Sequence, residues 1–203
     1  MTVNKDLRIK KTQRSLQEAL LALINEKGFD AISVKDLTEQ AEINRATFYR
    51  HYLDKYDLLD KNIDNMLLDL GNTVIPKNMN EIIGKDGEPS PMYVKLFEFI
   101  FENASFFRTM MSKNGISSFQ YRLIVIMKDY INMAIDEFQQ QQNSMHTQKE
   151  IVINYITYAI IGLINYWLES DMKYSPQHMA KQLSDIAFSG PLSTLGITKK
   201  DNR

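Results

Sequence analysis

Arg45, Thr47, Tyr49, Arg50 and His51 are the residues of this chain whose types and spacing suit chemistry. On one short helix they leave hydrogen-bond donors and a flat aromatic facing outward. Phe48 and Tyr52, four apart, turn the other way and plug a small core. Such donors match phosphate oxygens and base edges, and a groove-side arginine bonded to guanine contributes about 1–3 kcal/mol of discrimination. On this reading Arg45 and Thr47 reach base edges, while Ser33, Tyr49, His51 and Lys55 meet phosphates. Asn44 and Arg50 complete the set of expected DNA-binding residues. Lys10 and Lys11, with Thr12, either touch the DNA backbone or belong to a solvated arm.

No competing chemistry has comparable residues. The chain has no cysteine, and its three histidines, His51, His146 and His178, share no ligand spacing. A transition-metal site needs three or four converging ligands, so no metal and no cofactor is expected. No Gly-rich phosphate loop or nucleophile elbow is present, so no nucleophile–base pair can be named and no enzyme is expected. Asp54 and Asp57 sit at a helix start, where carboxylates suit the dipole, and read as capping groups.

The elements that position the donors follow from local signals. Ser33 with Asp36 three residues on is a capping pair, opening a helix at Val34. Leu37 and Ala41 share one face, Ile43 lies in a turn over Glu42 to Asn44, and Asn44 caps the second helix. Upstream, Leu16, Leu20, Leu21 and Ile24 make an apolar stripe on a helix over 6–27 that Gly28 stops. A positioning helix followed by a donor-rich helix is the helix-turn-helix layout.

The same residues resemble the DNA-binding end of the TetR/AcrR family of bacterial transcriptional regulators. The resemblance rests on Ser33, Ala41, the turn at Glu42 to Asn44, Thr47-Phe48-Tyr49, His51-Tyr52 and Lys55, and covers residues 5–60. Glu42 departs from it, since glycine usually occupies that turn and a non-glycine residue at positive φ is uncommon. Gly162, Tyr166-Trp167-Leu168-Glu169 and Ser175-Pro176 resemble the last two helices of some members, where two subunits pair. The resemblance implies an all-α fold of about nine helices, a homodimer and an effector-responsive C-terminal domain. It implies a repressor released from operator DNA by a small apolar or amphipathic molecule. The alternative is an adaptor on the same scaffold, acting mainly through protein partners.

Composition agrees with that frame. Net charge is −1 over 203 residues, so DNA binding needs local asymmetry. Lys5, Arg8, Lys10, Lys11 and Arg14 against Asp6 alone supply it. Few prolines and glycines favour helices. The charged N-terminus and missing cysteines point to a cytoplasmic protein. The longest apolar stretch, Tyr155 to Leu168, is broken by Asn165 and reads as too short to span a bilayer, so no membrane partner is expected.

Further helices are expected from Asp54 to Leu70 and over 92–103, 104–113, 117–140 and 148–170. A last one runs from Ser175-Pro176 to before Gly190, and residues 71–90 read as a loop with one short turn at most. The Gln139 to Ser144 run reads as a frayed helix end. Residues 1–54 form the expected helix-turn-helix domain, 55–195 the effector and dimerisation domain, and 196–203 a mobile tail. Phe97, Phe107, Met111, Met127, Tyr130, Tyr155 and Tyr158 are each either pocket wall or plain core. Ala159 and Gly162 allow close helix approach, and with Leu163 and Trp167 they form the expected dimer face.

Overall fold

Apolar spacing of three and four residues over most of the chain produces helices, and the computed structural model contains eleven of them and no strand among its described residues. It describes residues 2–85, 87–139 and 147–196, with side chains from residue 7 and, in the second segment, to residue 136. His146, the Gln140 to Ser144 run and all but the first residue of the expected tail lie outside the described residues. The helices are α1 (Thr2–Lys27), α2 (Val34–Gln40), α3 (Arg45–Tyr49), α4 (Lys55–Val74), α5 (Met79–Ile83) and α6 (Pro91–Glu102). They continue as α7 (Ala104–Met111), α8 (Ser117–Gln139), α9 (Lys149–Glu169), α10 (Pro176–Ser189) and α11 (Pro191–Thr194). The two beyond the expected nine are the short α5 and α11.

The chain packs as two compact units. The first comprises residues 1–68 with 105–121, the second 69–104 with 122–203. This grouping differs from a cut after residue 54 because α7 and the start of α8 belong to the first core. There Phe119 meets Phe106 and Phe107 edge-on, with centroids 5.5 and 6.0 Å away. Asn25 Nδ2 of α1 also donates to Thr109 Oγ1 of α7 at 2.8 Å. Leu16, Leu20 and Ile24 of α1, Leu37 of α2, Phe48 of α3 and Leu58 and Ile63 of α4 are all fully buried.

The second unit is built around Trp167. Its indole meets Phe97 of α6 edge-on at 5.3 Å, and its Nε1 donates to the Tyr174 carbonyl at 2.9 Å. Met179, Ala180 and Leu183 of α10 are buried in the same unit, where α6 and α10 pack on each other. α9 buries Ile153, Thr157, Ile160, Ile164, Trp167 and Leu168 on one face. The helix runs unbroken for 21 residues through Asn154 and Asn165. The expectation that its apolar stretch is too short for a bilayer is therefore corrected: by length and composition α9 is long and apolar enough to cross one.

Helix α4 also exceeds expectation, continuing through Gly71 to Val74 instead of ending at Leu70. Glycine inside a helix costs about 1 kcal/mol against alanine, and here a close approach accounts for it. A Cβ at Gly71 would stand 1.8 Å from Tyr130 Oη and 2.7 Å from its Cζ. Gly71 is thus the notch in which the Tyr130 phenol of α8 rests.

The start of α2 is held by charge. Asp36 accepts from the Ser33 amide at 2.8 Å and the Ser33 hydroxyl at 2.7 Å, and pairs with Lys27 at 3.0 Å. The Ser33 amide foremost, then its hydroxyl and Lys27, hold the carboxyl well below the usual carboxylate range. A depressed folded value stabilises the fold above the unfolded value of 3.8 and loses that contribution as pH falls through the folded one. Asp36→Asn is therefore expected to be less stable than the parent at neutral pH, with the gap shrinking on acidification; thermal unfolding across that range checks it. For the notch, Gly71→Ala is expected to gain about 1 kcal/mol in a Tyr130→Ala background and to lose that gain when Tyr130 is present. Urea unfolding of the double-mutant cycle measures the coupling, and additive effects would contradict the notch.

Candidate nucleic-acid interface

A five-residue helix does not persist alone, because nucleation is unfavourable and few bonds follow it. α3 is held at both ends instead. Asn44 Oδ1 accepts from the Thr47 amide at 2.7 Å, closing the N-terminus. Phe48 is completely buried, with Tyr49 edge-on at 5.4 Å and Tyr52 at 5.8 Å. The chain then turns into α4, where Asp54 Oδ1 accepts from the amides of Tyr56 and Asp57 at 2.9 and 2.8 Å. Asp57 accepts from the Leu53 amide at 2.9 Å and from Lys61 at 2.8 Å. Both aspartates are capping groups, as expected.

With Phe48 and Tyr52 buried, the rest of α3 points outward. Arg45 and Arg50 are exposed and Tyr49 is 57% exposed. Thr47 is half-buried, and Arg50 Nη2 donates to its Oγ1 at 3.4 Å. His51 is half-buried; partial burial first, then the Arg50 charge, push its pKa below the ordinary histidine value. Its imidazole is thus mainly neutral at physiological pH and offers a hydrogen bond instead of a charge. Lys10 and Lys11 are exposed on α1.

Two residues expected at phosphates, Lys55 and Ser33, are engaged within the chain. Lys55 Nζ donates to the carbonyls of Phe29 and Asp30 at 3.1 and 2.9 Å, and sits over the Phe29 ring at 4.8 Å. The ammonium has two of its three donors engaged there, so Lys55 straps α4 to the loop after α1. Ser33 exchanges hydrogen bonds with Asp36 through its hydroxyl, which makes it a cap. The turn between α2 and α3 closes as expected with Glu42 at φ 53°, an uncommon conformation for a residue with a side chain. Leu53, 81% exposed immediately after the recognition segment, was missed by sequence reasoning. Its only signal was a leucine without an apolar partner at helical spacing.

The second unit contains an apolar cavity of about 310 Å³ between helices α4, α5, α6, α8, α9 and α10. Of the seven residues expected at a pocket wall, only Met127 and Tyr130 line it. Phe97 packs against Trp167 in the core, and Phe107 and Met111 belong to the first unit. Tyr155 and Tyr158 are 57% and 55% exposed, on the side of α9 away from its core face. The main wall residues missed were Met79, Ile82 and Ile83, because 71–90 was read as a loop. Their i, i+3, i+4 spacing was the available signal.

The expected dimer residues separate likewise. Trp167 is fully buried inside the chain, so its place in a dimer face is corrected. Gly162 is exposed, with no atom within 4 Å of where its Cβ would be, and Ala159 and Leu163 are half-covered beside it. Ile151, Tyr155, Tyr158, Gly162 and Tyr166 form one exposed stripe along α9.

Comparison with known proteins adds the lineage. Residues 16–61 match the model for bacterial regulatory proteins of the tetR family, and residues 87–189 match that for a transcriptional regulator C-terminal region. The chain is 25% identical over 179 residues to the HTH-type transcriptional regulator YxbF of Bacillus subtilis strain 168, covering 87% of this chain and 44% of that protein. It is 28% identical over 82 residues to the biofilm operon icaADBC HTH-type negative transcriptional regulator IcaR of Staphylococcus epidermidis, covering 40% of this chain and 42% of that one. The chain thus spans less than half the length of these curated relatives. Among solved structures, a TetR-family regulator from Syntrophomonas wolfei aligns with TM-score 0.66 at 14% identity, covering 96% of this chain and 99% of that one. FadR from Bacillus subtilis, solved with stearoyl-CoA, aligns with TM-score 0.53 at 18% identity, covering 87% and 98%. These two likenesses concern the fold. The capped recognition helix, the all-helical fold and the two family matches together make this chain a member of the TetR family of transcriptional regulators.

Proposed function

We propose that the chain is a homodimeric DNA-binding repressor, released from its operator when a small apolar or amphipathic molecule occupies the second-unit cavity. The observation that carries the reading is α3: a capped, core-pinned helix presenting Arg45, Tyr49 and Arg50 to solvent beside Thr47. Arg45 and Thr47 read base edges, Tyr49, Arg50 and His51 hold phosphates, and Leu53 offers an apolar contact to a sugar or thymine methyl. Lys10 and Lys11 add charge near the backbone, and Glu42 lowers the net attraction. Repression is supported by the relative named as a negative regulator, and an effector by the neighbour solved with stearoyl-CoA. Family membership also favours regulation over catalysis, and a cytoplasmic site where DNA is reached.

Dimerisation is supported by the exposed stripe on α9. Large exposed apolar patches mark interaction surfaces, and a glycine with open space at its Cβ lets a second backbone approach. A two-fold pair also suits a palindromic operator.

Fluorescence anisotropy on the chain's own upstream DNA and on random DNA tests the recognition helix. Arg45→Ala is expected to lose about 1–3 kcal/mol of specific binding with little change on random DNA; equal losses on both would remove the base-reading role. An absence of any specific DNA binding by the parent would favour the adaptor reading. For the dimer, light scattering of the parent is expected to give the mass of two chains. Gly162→Leu is expected to fold, since open space surrounds that position, and to run as a monomer. A monomeric parent at micromolar concentration refutes the pairing.

A further inference from the structure

The cavity in the second unit has a wall with almost no polar side chain. Val74, Leu96, Met127, Ile131, Ile156 and Ile160 typify it, and no Asp, Glu, Lys, Arg or His lines it. Helices form most of the wall, so their backbone polar groups are paired internally. The exceptions among side chains are two phenols, Tyr93 and Tyr130. Tyr130 is half-buried and lies in the Gly71 notch. Tyr93 is different: it is only 6% exposed, and its hydroxyl has no hydrogen-bond partner among the described residues. No buried side-chain oxygen or nitrogen among them is both sealed off and unpaired, so the Tyr93 hydroxyl keeps contact with open space, and the Tyr93 side chain lines the cavity. Burial pushes the Tyr93 phenol up to about 12, so it stays protonated and keeps a donor O–H at any physiological pH.

Because the hydroxyl is accessible, water bonds it in the empty site; a ligand acceptor takes over that bond, whereas a ligand without one displaces the water and leaves the donor unpaired, at a cost of about 1–3 kcal/mol. A charged ligand group gains nothing comparable here. A carboxylate or ammonium carried into an apolar wall leaves water without finding an opposite charge, and the penalty is several kcal/mol. The volume, about 310 Å³, falls at the lower end of small-molecule sites, which span about 300–1,000 Å³. Exposed Ile83 and Phe188 are also part of the lining, so the rim is apolar as well.

From the uncharged wall and the unpartnered Tyr93 hydroxyl, we infer that this cavity takes a neutral, mainly aliphatic small molecule bearing one hydrogen-bond acceptor, such as an alcohol, ketone, ester or lactone. Tyr93 Oη donates to that acceptor and sets the ligand's orientation, while the aliphatic body fills the space between α6, α8 and α9. The inference rests on the effector reading above and narrows it. It separates this site from one built to seat a carboxylate or an organic cation.

Isothermal titration calorimetry on the full chain tests it with three probes of equal chain length: 1-decanol, decanoate and decylammonium, each below its micelle concentration. Decanol is expected to bind at least about tenfold more tightly than either charged probe. Tyr93→Phe is expected to weaken decanol about tenfold and to leave pentylbenzene, which has no acceptor oxygen, within about twofold of the parent. Decanoate or decylammonium binding as tightly as decanol overturns the charge assignment while leaving an effector site standing. An unchanged decanol affinity in Tyr93→Phe overturns the role of the hydroxyl. If none of the probes binds the parent chain, the effector reading falls and this inference falls with it.

Discussion

The burial of Phe48 is the constraint on which the recognition surface depends. α3 has five residues, too few to sustain a helix in water, and its backbone geometry is imposed by the side chain it places in the first core. Because Phe48 points inward, the helical repeat directs Arg45, Tyr49 and, one turn later, Tyr52 to fixed positions. Tyr52 joins the core and the others are left outside. Asn44 closes the N-terminal amides and the Asp54–Asp57 pair starts α4, so the segment is bounded at both ends by side-chain caps. Lys55 completes the frame by tying α4 to the Phe29 and Asp30 carbonyls. A cation in this position serves geometry first.

In the second unit the corresponding constraint is the two-sidedness of α9. One face supplies Ile153, Ile160, Ile164 and Trp167 to the core; the other leaves Ile151, Tyr155, Tyr158 and Tyr166 in water. A helix apolar nearly all round is stable only with cover on both sides, and the chain itself covers one. That remaining face is the physical reason for expecting a second copy. It is also why the same helix satisfies a length-and-composition test for a membrane span. The tyrosine hydroxyls distinguish the two cases, since phenols suit a partly wet interface better than hydrocarbon.

Much of the fold was legible in the sequence because local signals and packing agreed. The Ser33–Asp36 box, the Asn44 and Ser175 caps and the Gly28 stop all appear where their residue types placed them. Glu42 in the turn adopts the positive φ that its position required. What local signals could not resolve was which apolar residues share a space. Phe97, Phe107 and Met127 have similar periodicity, yet one backs Trp167, one meets Phe119 and one lines the cavity. That sorting depends on contacts between helices distant in sequence. The Met79–Ile83 helix was hidden by neighbouring Gly and Pro, whose loop signal outweighed five residues of helical spacing.

Tyr130 connects the cavity to the scaffold. Its ring forms part of the cavity wall and its hydroxyl end occupies the space where a Gly71 Cβ would be. The cavity of about 310 Å³ exists with Tyr130 seated in that notch, so the phenol is part of the wall a ligand meets. α4 is one uninterrupted helix, and its first residue lies three positions beyond Tyr52. A ligand changes a conformational equilibrium only by binding one state more tightly than the other. Had the residue at 71 carried a Cβ, Tyr130 could not rest in the notch, and this part of the cavity wall would have to be built differently.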